Sequence, residues 1–261
     1  MDYHDANRLA WDASEPYHRE AVFERVLHEL KTPGLSCLDE YALAVFEKLK
    51  VEGKSVAQLC CNNGRETMSL IKLGASRGVG FDISETFIQQ GRELVEKSGI
   101  SCELRACDVA NIGLEFQEQF DIVYVSVGAV GWFQDLTPFF GKVAELLKPG
   151  GQLFVYEQHP FQEMLDLKAS VEAPRLTCDY FKSDPYRDTG GLDYYSGKFY
   201  DSPPAYWFVH TFATILQTII DQGMTITQVE EFEHDISNNW PELAAAELKI
   251  PLCFQLVAKK L

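Results

Sequence analysis

The spacing of apolar and polar positions changes character three times along the chain. Over the first fifty residues apolar side chains recur at helical spacing, with Val22, Val26, Leu27 and Leu30 on one face of HREAVFERVLHEL. Pro16 predicts a break inside this stretch, Pro33-Gly34 ends it, and LDEYALAVFEKLK reads as a second amphipathic helix. From residue 55 short apolar runs alternate with amphipathic segments. SVAQLC leads to GRETMSLIKLG, RGVGFDI leads to SETFIQQGRELVEKSG, and SCELRACDV and FDIVYVSV follow. A helix around DLTPFFGKVAELL then meets KPGG, which turns into QLFVYEQHP. Continuous apolar strands alternating with helices predict an α/β fold with a parallel sheet covered on both faces. Between 161 and 206 the rhythm stops in a Tyr-, Phe-, Gly- and Pro-containing stretch, which predicts an ordered insertion of short strands. It resumes with HTFATILQTIIDQG and MTITQVEEFEHD, passes through a loop and short helical turn over 237–250, and closes on PLCFQLVAKKL. The reading is one domain over 1–261: a helical cover (1–50), a core (55–160), an insertion (161–206), then a closing helix and strands (207–261).

Composition narrows the possible partners. The formal charge is −16 with no basic cluster, so surfaces built to neutralise nucleic-acid phosphates or an anionic membrane are disfavoured. No run of about 18 apolar residues is present. The amino terminus, MDYHDANRLAWD, lacks the basic-then-apolar layout of a secretion signal. The seven cysteines show neither disulfide-framework nor metal-ligand spacing. We therefore expect a cytoplasmic protein with reduced, mostly buried thiols and no metal. The sequence carries no signal of oligomeric state.

In an open parallel sheet ligands sit at the carboxyl ends of the strands. The first strand ends in Cys60-Cys61-Asn62-Asn63-Gly64 and leads into a helix. The second ends in Asp82, where an acid can accept both hydroxyls of a ribose. The third ends in Cys107-Asp108-Val109, where an acid can take an exocyclic amine of adenine beside the next backbone N–H. The fourth ends in Ser126-Val127-Gly128-Ala129, small residues that let backbone approach a ligand.

With these residues in place, segments 55–160 resemble the class I S-adenosylmethionine-dependent methyltransferases. VAQLCCNNGRETMSL stands at the first motif, GVGFDIS at the second, ACDV at the third, FDIVYVSV at the fourth and LLKPGGQLFVYEQHP at the fifth. NRLAWD at the start and E-x-H-P after the fifth strand look like a bacterial branch acting on small molecules. The resemblance implies a Rossmann-like seven-stranded methyltransferase sheet with helices on both faces and an antiparallel finish. It implies S-adenosylmethionine as cofactor, S-adenosylhomocysteine as product and a small-molecule methyl acceptor. It further implies a cofactor site of Asn7, Trp11, Gln58, Cys60, Cys61, Asn62, Gly64, Asp82, Ile83, Asp108, Val109, Ser126 and Val127.

The first motif departs from the family. Gln58 stands where an acid is usual, and Cys60 and Asn62 replace the first two turn glycines, leaving Gly64. Cysteine is small and asparagine tolerates left-handed backbone, so the turn is expected to survive. Methyl transfer needs chiefly a held attack geometry, and a base only when the acceptor carries a proton. For that role His159 and His210 are the candidates, His18 a weaker third, and Glu157 is expected to orient His159. The amino-terminal segment around Asn7 and Trp11 and the aromatic insertion 178–207 are expected to close the site. Two other classes stay open: an S-adenosylmethionine-binding protein that is catalytically inactive or a partner subunit, and an NAD-dependent oxidoreductase, the latter opposed by the missing G-x-G-x-x-G.

Overall fold

The structure, a computed structural model, describes residues 3–165, 175–237 and 241–261. It opens on α1 (Tyr3–Lys31) and α2 (Glu40–Lys48). A helix follows each of the first two core strands: β1 (Ser55–Leu59) leads to α3 (Arg65–Lys72), and β2 (Arg77–Asp82) to α4 (Glu85–Ser98). β3 (Glu103–Ala106) and β4 (Phe120–Val125) come next, then α5 (Leu136–Leu146) and β5 (Leu147–Gln158). The insertion contributes β6 (Tyr186–Asp188) and β7 (Ala205–Trp207), paired antiparallel with each other. The chain closes with α6 (Phe212–Asp221), β8 (Met224–Phe232), α7 (Pro241–Ala245) and β9 (Cys253–Lys260).

Among the described residues seven strands form one sheet in the order β3-β2-β1-β4-β5-β9-β8. β1 to β5 run parallel, and β9 is antiparallel to both β5 and β8. The order reverses at β1, with β2 on one side and β4 on the other, so the carboxyl ends of these strands border a crevice. Every residue of β1 is buried, as a central strand covered on both faces requires. Ala57 and Leu59 join Val123, Val125, Phe139, Phe140 and Ile215 in the core under α5 and α6, while Val56 joins Phe46, Tyr124 and Phe154 under α2.

Local signals set the ends of these helices. Ser84 Oγ accepts Phe87 N–H to start α4, and Gly99 ends it at φ 74°, a left-handed value that costs glycine little. The expected break at Pro16 does not occur: α1 is continuous through it. Proline removes one N–H and crowds the preceding turn, but flanking contacts outweigh that cost. Val22, Phe23, Val26 and Leu30 pack on Met68 and Leu94, and Asn7, Ala10 and Ser14 are buried upstream of Pro16. The sequence expectation for 161–206 is described only in part, since 166–174 lie outside the described residues, as do 238–240 within the expected 237–250 loop. No described helix is long and apolar enough to cross a membrane.

Candidate functional site

The turn after β1 keeps its shape without its glycines. Cys60, Asn62 and Gly64 all have left-handed φ values, 54°, 54° and 70°. Non-glycine residues in that region carry of order 1 kcal/mol of strain each, so the surroundings must enforce it. They do so by hydrogen bonds: Cys61 N–H donates to Phe81 O, Asn62 N–H to Asp82 Oδ2 at 2.7 Å, and Gly64 N–H to Cys61 O. Close packing adds to this. A Cβ at Gly91 would lie 2.5 Å from Asn63 O, so α4 is pressed onto the turn.

Asp82 ends β2 and is deeply set. Its Oδ2 accepts Asn62 N–H and its Oδ1 accepts Ser84 N–H at 2.9 Å. Burial pushes its carboxyl up to about 6, against these backbone donors, and Asp12 nearby pushes the same way. An ionised carboxylate offers about four lone-pair sites, so acceptor capacity remains for hydroxyl donors beyond the backbone bonds. Asp108, one strand over, caps a 3-10 turn through Ala110 N–H at 2.8 Å and takes a hydrogen bond from His4 Nδ1. Burial raises its carboxyl, but the His4 and Ala110 hydrogen bonds prevail and hold it below the usual range.

Two sequence-distant covers meet over these strand ends. The Asn7 amide pairs with the Tyr206 backbone in both directions: Nδ2 donates to Tyr206 O at 3.0 Å, and Tyr206 N–H donates to Oδ1 at 2.7 Å. Trp11 stands edge-to-face against Trp132, Phe87, His18 and Tyr194, joining α1, the sheet loops and the insertion. Trp207 packs so closely on Gly131 that a Cβ there would sit 2.3 Å from its ring. His18, 1% exposed, donates from Nε2 to Leu192 O at 2.7 Å, with its pKa lowered by burial. It therefore ties the insertion to α1 rather than facing an acceptor.

Beneath this roof lies a cavity of about 470 Å³, a size typical of small-ligand sites. Of the expected cofactor residues it brings together Asn7, Trp11, Cys60, Asn62, Asp82, Ile83, Asp108, Val109 and Val127. Gln58, Cys61, Gly64 and Ser126 do not line it. Gln58 is 1% exposed with its amide fully engaged: Oε1 accepts Thr67 Oγ1 at 2.6 Å, and Nε2 donates to Glu66 Oε2 at 2.6 Å and Ser126 Oγ at 3.0 Å. Cys61 packs with Ile88 and Leu104, and Gly64 caps α3. These four support the turn from behind. Burial, with nearby Asp82 adding to it, raises the thiol pKa of Cys60 and Cys61 well above the usual range, which disfavours a thiolate there.

Neither histidine expected to face an acceptor touches the cavity. His159 accepts Phe161 N–H at Nδ1, and its Nε2 lies 2.9 Å from Glu231 Oε1. Its pKa is lowered by burial, with Glu231 opposing. His210 donates from Nε2 to Phe133 O at 2.8 Å, bracing the loop after β4. Glu157 does not orient His159. It is 1% exposed and accepts the N–H groups of Gly128 (2.6 Å), Ala129 (2.8 Å), Val130 (3.2 Å) and Gln158 (2.8 Å). Alternation along β5 turns its side chain toward that loop, whose Val127 and Gly128 line the cavity. Burial raises its pKa against these four donors.

Sequence reasoning missed His4, Asp39, Arg65, Gln158, Tyr194 and Tyr195 on the cavity wall. Arg65 and Tyr195 meet only in the fold, with Arg65 Nη1 donating to Tyr195 Oη at 2.6 Å. Asp39 accepts from Tyr156 Oη at 3.0 Å, and that hydroxyl also pairs with His234 Nε2 at 2.6 Å. The available signal was Arg65 itself, a charge directly after the turn glycine in an otherwise buried motif.

A family model described as a methyltransferase domain matches residues 56–151, the segment from β1 into β5. Among curated relatives, the ubiquinone biosynthesis O-methyltransferase of Chelativorans sp. (strain BNC1) is 31% identical over 160 residues, 59% of this chain and 62% of the relative. A ribosomal protein L11 methyltransferase of Photorhabdus laumondii subsp. laumondii is 32% identical over 107 residues, 41% of this chain and 34% of the relative. The chain thus spans between a third and two thirds of the length of these relatives. Among solved structures, geranyl diphosphate C-methyltransferase from Streptomyces coelicolor A3(2), in complex with Mg2+, geranyl-S-thiolodiphosphate and S-adenosyl-L-homocysteine, superposes with a TM-score of 0.66. That match covers 100% of this chain and 99% of the other at 12% identity, which establishes a shared fold. With the sheet order, the strand-end acids and the matched domain on one segment, residues 56–151 match a methyltransferase domain and the chain has the fold of S-adenosylmethionine-dependent methyltransferases.

Proposed function

We propose that this chain binds S-adenosylmethionine and transfers its methyl group to a small-molecule acceptor. The observation carrying this reading is the roofed cavity with Asp82 and Asp108 at the ends of adjacent strands β2 and β3. The residues fit the cofactor. Asp82 keeps acceptor capacity for ribose hydroxyls, Asp108 and Val109 border the space for an adenine edge, and Ile83 offers an apolar face. Bound there, S-adenosylmethionine supplies a sulfonium methyl open to in-line displacement by an acceptor nucleophile. The chain's own contribution is placement and exclusion of water. The rings of Trp11 and Trp132 wall the cavity and suit a cationic centre. The loop held by Glu157 fixes Val127 and Gly128 against it.

The roof favours a small acceptor over a macromolecule, because α1 and the insertion are hydrogen-bonded together above the strand ends. The altered turn, which left an inactive protein open, keeps the left-handed conformations a cofactor turn needs. A cytoplasmic location and a small-molecule partner belong to the same proposal.

Thermal unfolding with S-adenosylhomocysteine and with NAD tests the cofactor. A ligand at 100 times its Kd adds about 2.7 kcal/mol of stability, so a clear upward shift is expected with the first alone. Stabilisation by NAD only would overturn the reading. S-adenosylhomocysteine production from S-adenosylmethionine with small hydroxyl, amine and thiol compounds, set against ribosomal protein and RNA, then tests the acceptor class.

A further inference from the structure

Arg65 begins α3, directly after the turn, and is half-buried beneath Tyr195 of the insertion. The part of its surface that stays accessible opens on the cavity. Among the described residues its guanidinium makes no ion pair, and Nη1 donates to the Tyr195 hydroxyl at 2.6 Å. The adjacent acid does not neutralise it by contact, because Glu66 Oε2 is held by Gln58 Nε2 at 2.6 Å. Burial raises the Glu66 pKa, against the nearby Arg65 charge and the Ser126 and Gln58 hydrogen bonds. A buried, unpaired cation is costly, and a guanidinium fork matches a carboxylate in two parallel hydrogen bonds. In a chain of net charge −16, Arg65 stands on the cavity wall without an ion pair to any described carboxylate, Glu66 acting on it only through space.

The company of Arg65 separates it from the nucleoside end of the cavity. Asp82 and Asp108 mark that end on β2 and β3, whereas Arg65 bonds Tyr195 of the insertion, with Tyr194 beside it, and the same cavity is lined by Leu192 and Leu38 and by the charged Arg25, Glu29 and Asp39. Aromatic and aliphatic surface beside one fixed cation suits a flat apolar body carrying one negative group. We propose that Arg65, oriented by Tyr195, anchors the methyl acceptor through a carboxylate, so that the acceptor class is planar, apolar carboxylic acids. This rests on the reading of the cavity as a methyl-transfer chamber.

The test uses the full chain and calorimetric titration, with and without saturating S-adenosylhomocysteine. The probes are benzoate, cinnamate and indole-3-acetate, each beside its neutral amide. The wild-type protein should bind at least one acid about ten-fold or more tighter than its amide, from a charge-assisted pair. Arg65→Gln should erase that preference, Arg65→Lys should keep part of it, and Tyr195→Phe should weaken acid binding only a few-fold. Should Arg65→Gln fail to fold, the Lys and Phe variants decide the matter by the same acid-to-amide ratio. Equal binding of every acid and amide by the wild type would overturn the proposal. So would an Arg65→Gln loss of S-adenosylhomocysteine affinity that spares 5′-methylthioadenosine, for then Arg65 holds the cofactor's own carboxylate. A wild-type protein that binds no S-adenosylhomocysteine overturns the underlying reading instead, while the titrations without cofactor still judge the acid site.

Discussion

Asp82→Asn removes a charge while keeping the shape, and it separates two roles of one carboxylate. A carboxyl held at about 6 instead of 3.8 makes its charged form expensive in the fold. At 1.36 kcal/mol for each tenfold change, the folded protein without ligand gives up about 3 kcal/mol at neutral pH through this group. The folded pKa lies above the unfolded one, so the favourable contribution is complete below pH 3.8 and lost as pH rises through about 6. Urea unfolding of the ligand-free wild type between pH 4 and pH 7 should therefore show a decline of about 2 kcal/mol, most of the full range, that the Asp82→Asn variant lacks. Comparing the two proteins cancels the slopes from other buried acids such as Glu66 and Glu157. Binding should change in the opposite sense. The variant's amide would turn its nitrogen toward a backbone donor and lose charge-assisted acceptance of the ribose hydroxyls. S-adenosylhomocysteine affinity should fall by about 2–3 kcal/mol, roughly 30- to 150-fold, by calorimetry at pH 7.5. Unchanged affinity would refute the ribose assignment, and parallel pH slopes would refute the buried charge.

Other perturbations follow from the same geometry. Glu157→Gln should cost about 2–4 kcal/mol of unfolding free energy, because an amide nitrogen then meets backbone N–H groups that two carboxylate oxygens now satisfy; chemical denaturation checks it, and a loss below 0.5 kcal/mol, on the order of an ordinary surface change, would count against it. Cys60→Gly should stay within about 1 kcal/mol of the wild type while Cys60→Val loses about 2–3 kcal/mol, since φ is 54° there and a β-branched side chain tolerates that region worst. Asn7→Ala removes both hydrogen bonds to Tyr206 and should speed amide exchange over 205–207 more than elsewhere in the protein, as followed by mass spectrometry. Asp108→Ala should weaken S-adenosylmethionine and S-adenosylhomocysteine alike, as both carry the same adenine; an effect on one ligand only would remove Asp108 from the base.

The sequence by itself determined the elements and their order. Apolar runs in β1, β2, β4 and β5 belong to strands covered on both faces, and that local requirement is written residue by residue. Strand ends follow from it, so Asp82, Asp108, Cys60 and Asn62 could be placed at one crevice before any coordinates. Pairings across the chain were decided only by tertiary structure, because no local pattern encodes them. Pro16 signals a break, yet contacts of α1 with α3 and α4 keep the helix whole. His159 sits at the right strand end, but packing between Phe212 and Phe254 and the contact with Glu231 draw it away from the cavity. Glu157 was legible as a strand residue, whereas its four backbone partners depend on how the loop after β4 folds back. Arg65 shows the limit most clearly: its position after the turn is a property of the sequence, and its hydrogen bond to Tyr195 forms only when the fold lays the insertion over it.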